Sequence, residues 1–143
     1  MKEENKCGML LRQIHLALEK KFNNRLKEED LTFSQMSALI EIADTPAKKL
    51  TFKALEKRMS LAQSTTAGLI SRLEQKKLVL VTGDPDDKRI KYVEISPLGE
   101  EYCNHARQDM QQAENELLKH FSAKEKDLFL SLLKRVNSNL KES

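Results

Sequence analysis

Between Gln63 and Leu73 lie eleven residues with no acid and a single base, Arg72. Other stretches of this chain are dense in Glu and Lys. If this one is a helix with Thr66, Leu69, Ile70 and Leu73 turned inward at i, i+3, i+4 and i+7, its other side carries Gln63, Ser64, Thr65, Gly68, Ser71, Arg72 and Gln75. Short hydroxyl and amide groups can donate to and accept from base edges, and backbone N–H groups at a helix start attract phosphate. Further along, Lys88, Arg89 and Lys91 flank a tight tip. Their charges suit phosphates beside a major groove, or a minor groove narrow enough to attract Arg. The acids Asp84, Asp86 and Asp87 would repel phosphate unless paired. Asp87 is expected to brace Arg89 while leaving part of the guanidinium free.

Charge follows the same geography. From Lys48 to Lys91 there are eleven Lys and Arg against five Asp and Glu, whereas the rest of the chain has fourteen basic and seventeen acidic residues. A basic middle third between slightly acidic flanks is the footprint of a polyanionic partner. The net charge of +3 decides little by itself.

The elements that position these groups are mostly helical, since four glycines and three prolines leave long uninterrupted stretches. Leu11, Ile14, Leu18, Phe22 and Leu26 mark a first helix from Cys7 to about Leu26. Thr32 and Gln35 form a capping box for a second, with Met36, Leu39, Ile40 and Ala43 on one side, ending before Pro46. Thr51 caps a short third helix carrying Phe52, Leu55 and Met59. Ser60 is expected to cap the fourth, with Gln63 completing a box, and that helix to run to about Lys77. The period then changes to strand-like at Leu78–Thr82. A turn at Gly83–Asp87 follows, then a second strand at Ile90–Ile95. Ser96-Pro97 restarts a helix with a stripe of Tyr102, Ala106, Met110, Ala113, Leu117 and Phe121. Ser122 and Glu125 box the last helix, which carries Leu128, Phe129, Leu132, Leu133, Val136 and Leu140. The expected architecture is mostly α with a small β-hairpin wing: helix, helix, turn, helix, hairpin, with a helix at the front and two at the back.

Other chemistries find little support. There is no Gly-rich phosphate loop, HExxH, GxSxG or framed carboxylate pair, so no enzyme and no cofactor is expected. Cys7 and Cys103 cannot make a disulfide framework. Cys103 and His105, two apart on a helix, face different ways, so no metal site is expected. The seven aromatics do not interleave with the basic residues, which argues against single-stranded nucleic acid. The longest unbroken apolar run is the four residues Leu78–Val81. No membrane span or signal peptide is read, and the protein is expected to be cytoplasmic.

On these residues the chain resembles the MarR family of bacterial winged helix-turn-helix transcriptional regulators. The matching stretches are Leu31-Thr-Phe-Ser-Gln-Met36, then Ala62-Gln-Ser-Thr-Thr66 through Ser71-Arg-Leu-Glu74. Asp84-Pro-Asp-Asp-Lys-Arg89 follows, with Val93-Glu-Ile-Ser-Pro-Leu-Gly99 after it. The resemblance implies a homodimer whose first helix and last two helices intertwine, each winged lobe reading half of an inverted repeat. By position, Gln63, Ser64, Thr65, Ser71 and Arg72 would meet bases or nearby phosphates, and Arg89 the wing's groove, with Lys88 and Lys91 beside it. Ala67 and Gly68 depart from the family, standing where a serine and a basic residue are common. So do Lys77, for a common glycine, and Val81, for a common arginine.

The dimer is also expected from composition. Leu11, Ile14, Leu18 and Phe22 at one end, and Phe129, Leu132, Leu133, Val136 and Leu140 at the other, exceed what a small lobe needs to cover. Twofold symmetry predicts half-sites about 10 bp apart. The chain is divided into residues 1–30 for dimerisation, a DNA-binding lobe over 31–96, and dimerisation helices over 97–143. The expected partners are double-stranded DNA, a second copy and a small-molecule effector, with Arg12, His15 and Met36 as candidate pocket lining. The expected function is a transcriptional repressor. Two alternatives stand beside it: a thiol-based redox sensor using Cys7, and a winged-helix protein–protein module that never touches DNA.

Overall fold

A computed structural model describes residues 6–142. The elements in chain order are α1 (Lys6–Glu28), α2 (Phe33–Ala43), β1 (Lys49–Thr51), α3 (Phe52–Met59) and α4 (Gln63–Gln75). β2 (Val79–Gly83), β3 (Lys91–Ile95), α5 (Pro97–Leu117) and α6 (Ala123–Lys141) follow. The chain divides into two compact units, one through Arg107 and one from Gln108.

The first unit is built on a dry core. Leu39, Ile42, Leu55, Ile70, Leu73, Leu78, Val79 and Val93 are all fully buried. The alternation of β2 and β3 and the helical period of α2 and α4 aim these side chains at one another. Leu26 and Leu31 anchor the end of α1 to the same core. The three strands are antiparallel in the order β1-β3-β2, with Leu50 opposite Val93 and Val81 opposite Val93 on its other side. The sequence pattern misses β1. Three residues carry too little period to read, and their partner β3 lies more than forty residues on.

Several caps hold where local chemistry places them. Thr32 and Gln35 satisfy each other's backbone N–H, and Thr51 Oγ1 accepts from Ala54 N. Ser60 does not cap α4. It sits at φ 54, ψ 45 as the left-handed C-cap of α3, its N–H donating to Glu56 and Lys57 carbonyls. An N-cap needs an extended backbone, and that role falls to Ala62 at φ −67, ψ 155. α4 also ends earlier than expected, at Gln75, because Lys77 turns left-handed at φ 64. Leu69 is only partly buried, while Thr66, Ile70 and Leu73 are sealed.

α5 begins inside the first unit, with Gly99, Cys103 and Ala106 buried. Ser96 Oγ accepts from Gly99 N at 3.0 Å and donates to Lys77 O at 2.7 Å. The second unit holds the rest of α5 and all of α6. Phe121 is not on α5: that helix ends at Leu117, and His120 at φ 70 reverses the chain. Phe121 instead meets Phe129 at a ring separation of 5.7 Å. The Ser122–Glu125 box caps α6, none of whose residues is buried.

Candidate nucleic-acid interface

α4 owes its position to one buried side. Thr66, Ile70 and Leu73 are at most 1% exposed, and the Thr66 hydroxyl is satisfied by the Ala62 carbonyl at 3.1 Å. This fixes the rotation of the helix. Gln63, Ser64, Thr65, Ser71 and Arg72 therefore all stand in solvent, with Ala67 and Gly68 between them. No side chain caps the first turn, so its backbone N–H groups keep their capacity to bind an anion. Gly68 meets no atom within 4 Å of where a Cβ would sit. The fold leaves that surface open.

The tip of the wing is tied together by its own side chains. Asp84 Oδ1 accepts from the N–H groups of Asp86 and Asp87 at 2.8 and 3.1 Å, while its Oδ2 accepts from the Tyr92 hydroxyl at 3.1 Å. The Asp86 N–H, with the Tyr92 hydroxyl second, holds the Asp84 carboxyl below its ordinary value, and Tyr92 is raised in return. Asp87 grips Arg89 with both oxygens, accepting from Nε and Nη2 at 3.1 Å each. The same carboxylate accepts from the Arg89 N–H at 2.9 Å. These bonds, the guanidinium's first, lower the Asp87 pKa. A lowered carboxyl keeps its pairing as pH falls through the ordinary carboxylate range, and loses it only below. The Arg89 side chain is still 90% exposed, so a planar fork held on one edge keeps its outer N–H donors available. Lys88 and Lys91 are exposed on either side.

The wing and α4 face each other across a cleft of about 630 Å³ lined by Gln63, Ala67, Arg89 and Lys91, with Lys53 and Phe52 behind. The structure thus brings the hydroxyl-rich helix and the basic tip to one surface. Beyond the sequence reading, Lys49 stacks over the Tyr92 ring at 4.8 Å, and Asp84 is the hub of the tip. The Asp-Pro-Asp-Asp turn signal contained the Asp84 role in outline. Nothing local signalled the Lys49 contact.

The remaining candidates fall elsewhere. Arg12 and His15 are exposed on α1, where His15 Nε2 lies 3.2 Å from Glu19, whereas Met36 is buried in the core. Cys7 is exposed on α1. Cys103 is buried, and burial pushes its thiol up to about 11. His105 points outward, 3.7 Å from Glu29. With that pKa, Cys103 should carry about a hundredfold less thiolate at pH 8 than an ordinary thiol. Iodoacetamide should then label it in native protein at least about a hundredfold more slowly than in denaturant. Equal rates would show that the α5 packing around it opens freely.

Comparison with known proteins places this geometry. A model of the MarR family matches residues 29–90. The transcriptional regulator HosA of Escherichia coli is 29% identical over 132 residues, covering 92% of this chain and 95% of its own. A MarR family protein from Bacillus stearothermophilus superposes with a TM-score of 0.81 at 25% identity, covering 99% of both chains. The Staphylococcus aureus MepR–DNA complex shares the fold, with a TM-score of 0.78 at 23% identity over 92% of this chain and 96% of that one. HosA is by name a transcriptional regulator. Among the described residues no helix is long and apolar enough to cross a membrane.

Proposed function

We infer that the chain is a homodimeric repressor of the MarR family, whose model matches residues 29–90, and that it binds an inverted repeat in duplex DNA. The observation that carries this reading is the one-sided burial of α4. Its apolar side is locked in the core, and its polar side, free of acid until Glu74, stands in solvent beside Arg89. A helix so presented fits a major groove about 12 Å wide. MepR, which shares this fold, is described in complex with DNA.

The dimer is supported by apolar surface that stands exposed on two helices. On α1, Leu11 and Ile14 are 41% and 38% exposed, with Leu18 and Phe22 half-buried. On α6, Leu132, Val136 and Leu140 are exposed, with Phe129 and Leu133 half-buried. Apolar stripes of this extent mark interaction surfaces. A second copy covers them with matching stripes, which is the economy of a twofold contact.

Sedimentation and duplex binding test this together. The protein should sediment as a dimer, and its affinity should fall steeply as salt rises, because each neutralised phosphate releases counterions. Arg89→Ala should weaken binding to selected and random duplexes alike by about tenfold, since a wing contact mostly positions the protein. A monomer that ignores duplex DNA at low salt overturns the reading. Unchanged affinity in Arg89→Ala removes the wing from it.

A further inference from the structure

Just past the C-terminal end of α4, Lys76 lines a cleft shared with Asp30, Gln35, Ser71 and Arg72. Its ammonium donates to the Asp30 carbonyl and, at 3.3 Å, to Gln35 Oε1, and lies 3.7 Å from the Asp30 carboxylate. Asp30 holds the left-handed turn between α1 and α2, at φ 57. Gln35 is 4% exposed, and its Oε1 also accepts from Thr32 N to close the α2 capping box. The Lys76 side chain is only 30% exposed. One ammonium therefore joins three elements: the end of α1, the start of α2 and the end of α4.

We propose that Lys76 is a positioning residue that ties the end of the recognition helix to the α1–α2 junction and so sets the separation of the two recognition helices in a dimer. The proposal rests on the reading of α1 as a dimerisation helix and α4 as the groove-reading helix. In such a pair, α1 belongs to the shared scaffold, and contacts of this kind add to the core packing of Leu26 and Leu31 in placing α4 in register with it. The hydrophobic core resists separation of the helices. It resists sliding less, because apolar contacts are non-directional. A hydrogen-bonded ammonium with two fixed acceptors supplies direction.

Lys76→Met keeps the stem and removes the charge, and Lys76→Arg restores it. The probes are duplexes selected by the wild-type protein from a random library, rebuilt with zero, one or two base pairs inserted between half-sites. One inserted pair moves a half-site by about 3.4 Å and turns it by about 35°. The wild type should lose at least about tenfold per inserted pair, and Lys76→Met only about threefold, with Lys76→Arg close to wild type. The slope of log affinity against log salt should stay unchanged in Lys76→Met. A slope smaller by about 1 would make Lys76 a phosphate contact and overturn the proposal. So would a wild-type spacing preference in Lys76→Met. Amide exchange of Glu29, Asp30 and Leu31 in the free protein provides a test without DNA. It should quicken in Lys76→Met, and unchanged exchange shows that no clamp exists. Wild-type protein that selects no duplex or stays monomeric defeats the underlying reading instead, whatever the variants do.

Discussion

Replacing Gly99 with alanine is expected to cost about 3 kcal/mol of stability, the upper part of the range for overpacking a closed site. A Cβ there would meet the Leu78 carbonyl oxygen at 2.2 Å and Ile95 Cγ1 at 2.7 Å. The carbonyl cannot yield cheaply, because it accepts the Ser96 N–H at 3.0 Å. Gly99 itself is held by the Ser96 hydroxyl, which also binds the Lys77 carbonyl. Moving α5 outward would therefore break the joint between the end of α4, the first wing strand and α5. Urea denaturation should give a midpoint well below wild type with the slope retained. A midpoint within error of wild type would mean that α5 does not press on Leu78 in solution. Because the joint carries the wing, partial loss should also reduce duplex affinity in proportion to the unfolded fraction.

The second large effect concerns recognition. Gln63→Ala is expected to cost about 2 kcal/mol per half-site on a selected duplex, on the order of thirtyfold, and under about twofold on random duplex. Gln63 is exposed at the first turn of α4, facing Arg89 and Lys91 across the cleft. An amide there can pair two-pronged with an adenine edge, a contact that phosphate binding cannot replace. Thr65→Ala should behave alike with a smaller loss. Fluorescence anisotropy on both duplexes, at one fixed salt concentration, separates the outcomes. Equal losses on both would assign Gln63 to the backbone, and no loss on either would take it off the interface. Neither substitution should change the melting temperature much, since neither side chain is buried.

What the sequence determined was whatever neighbours within about four residues decide. The Thr32–Gln35 and Ser122–Glu125 boxes, the Thr51 cap and, Leu69 apart, the inward stripe of α4 are local hydrogen bonds and local period, and they stand as read. The Asp87–Arg89 pair is two residues apart and equally local. One local reading fails all the same: Ser60 closes α3 instead of opening α4, its N–H going to the Glu56 and Lys57 carbonyls. Tertiary structure decided what depended on partners far along the chain. β1 exists only because β3 supplies its hydrogen bonds. Gly99 was visible as a motif glycine, but its reason is a carbonyl from residue 78. Lys76 carried no signal at all, since its acceptor at Asp30 lies 46 residues away. Backbone period and side-chain caps are short-range forces that a string of residues displays directly. The closeness of two distant groups is set by how the whole core packs.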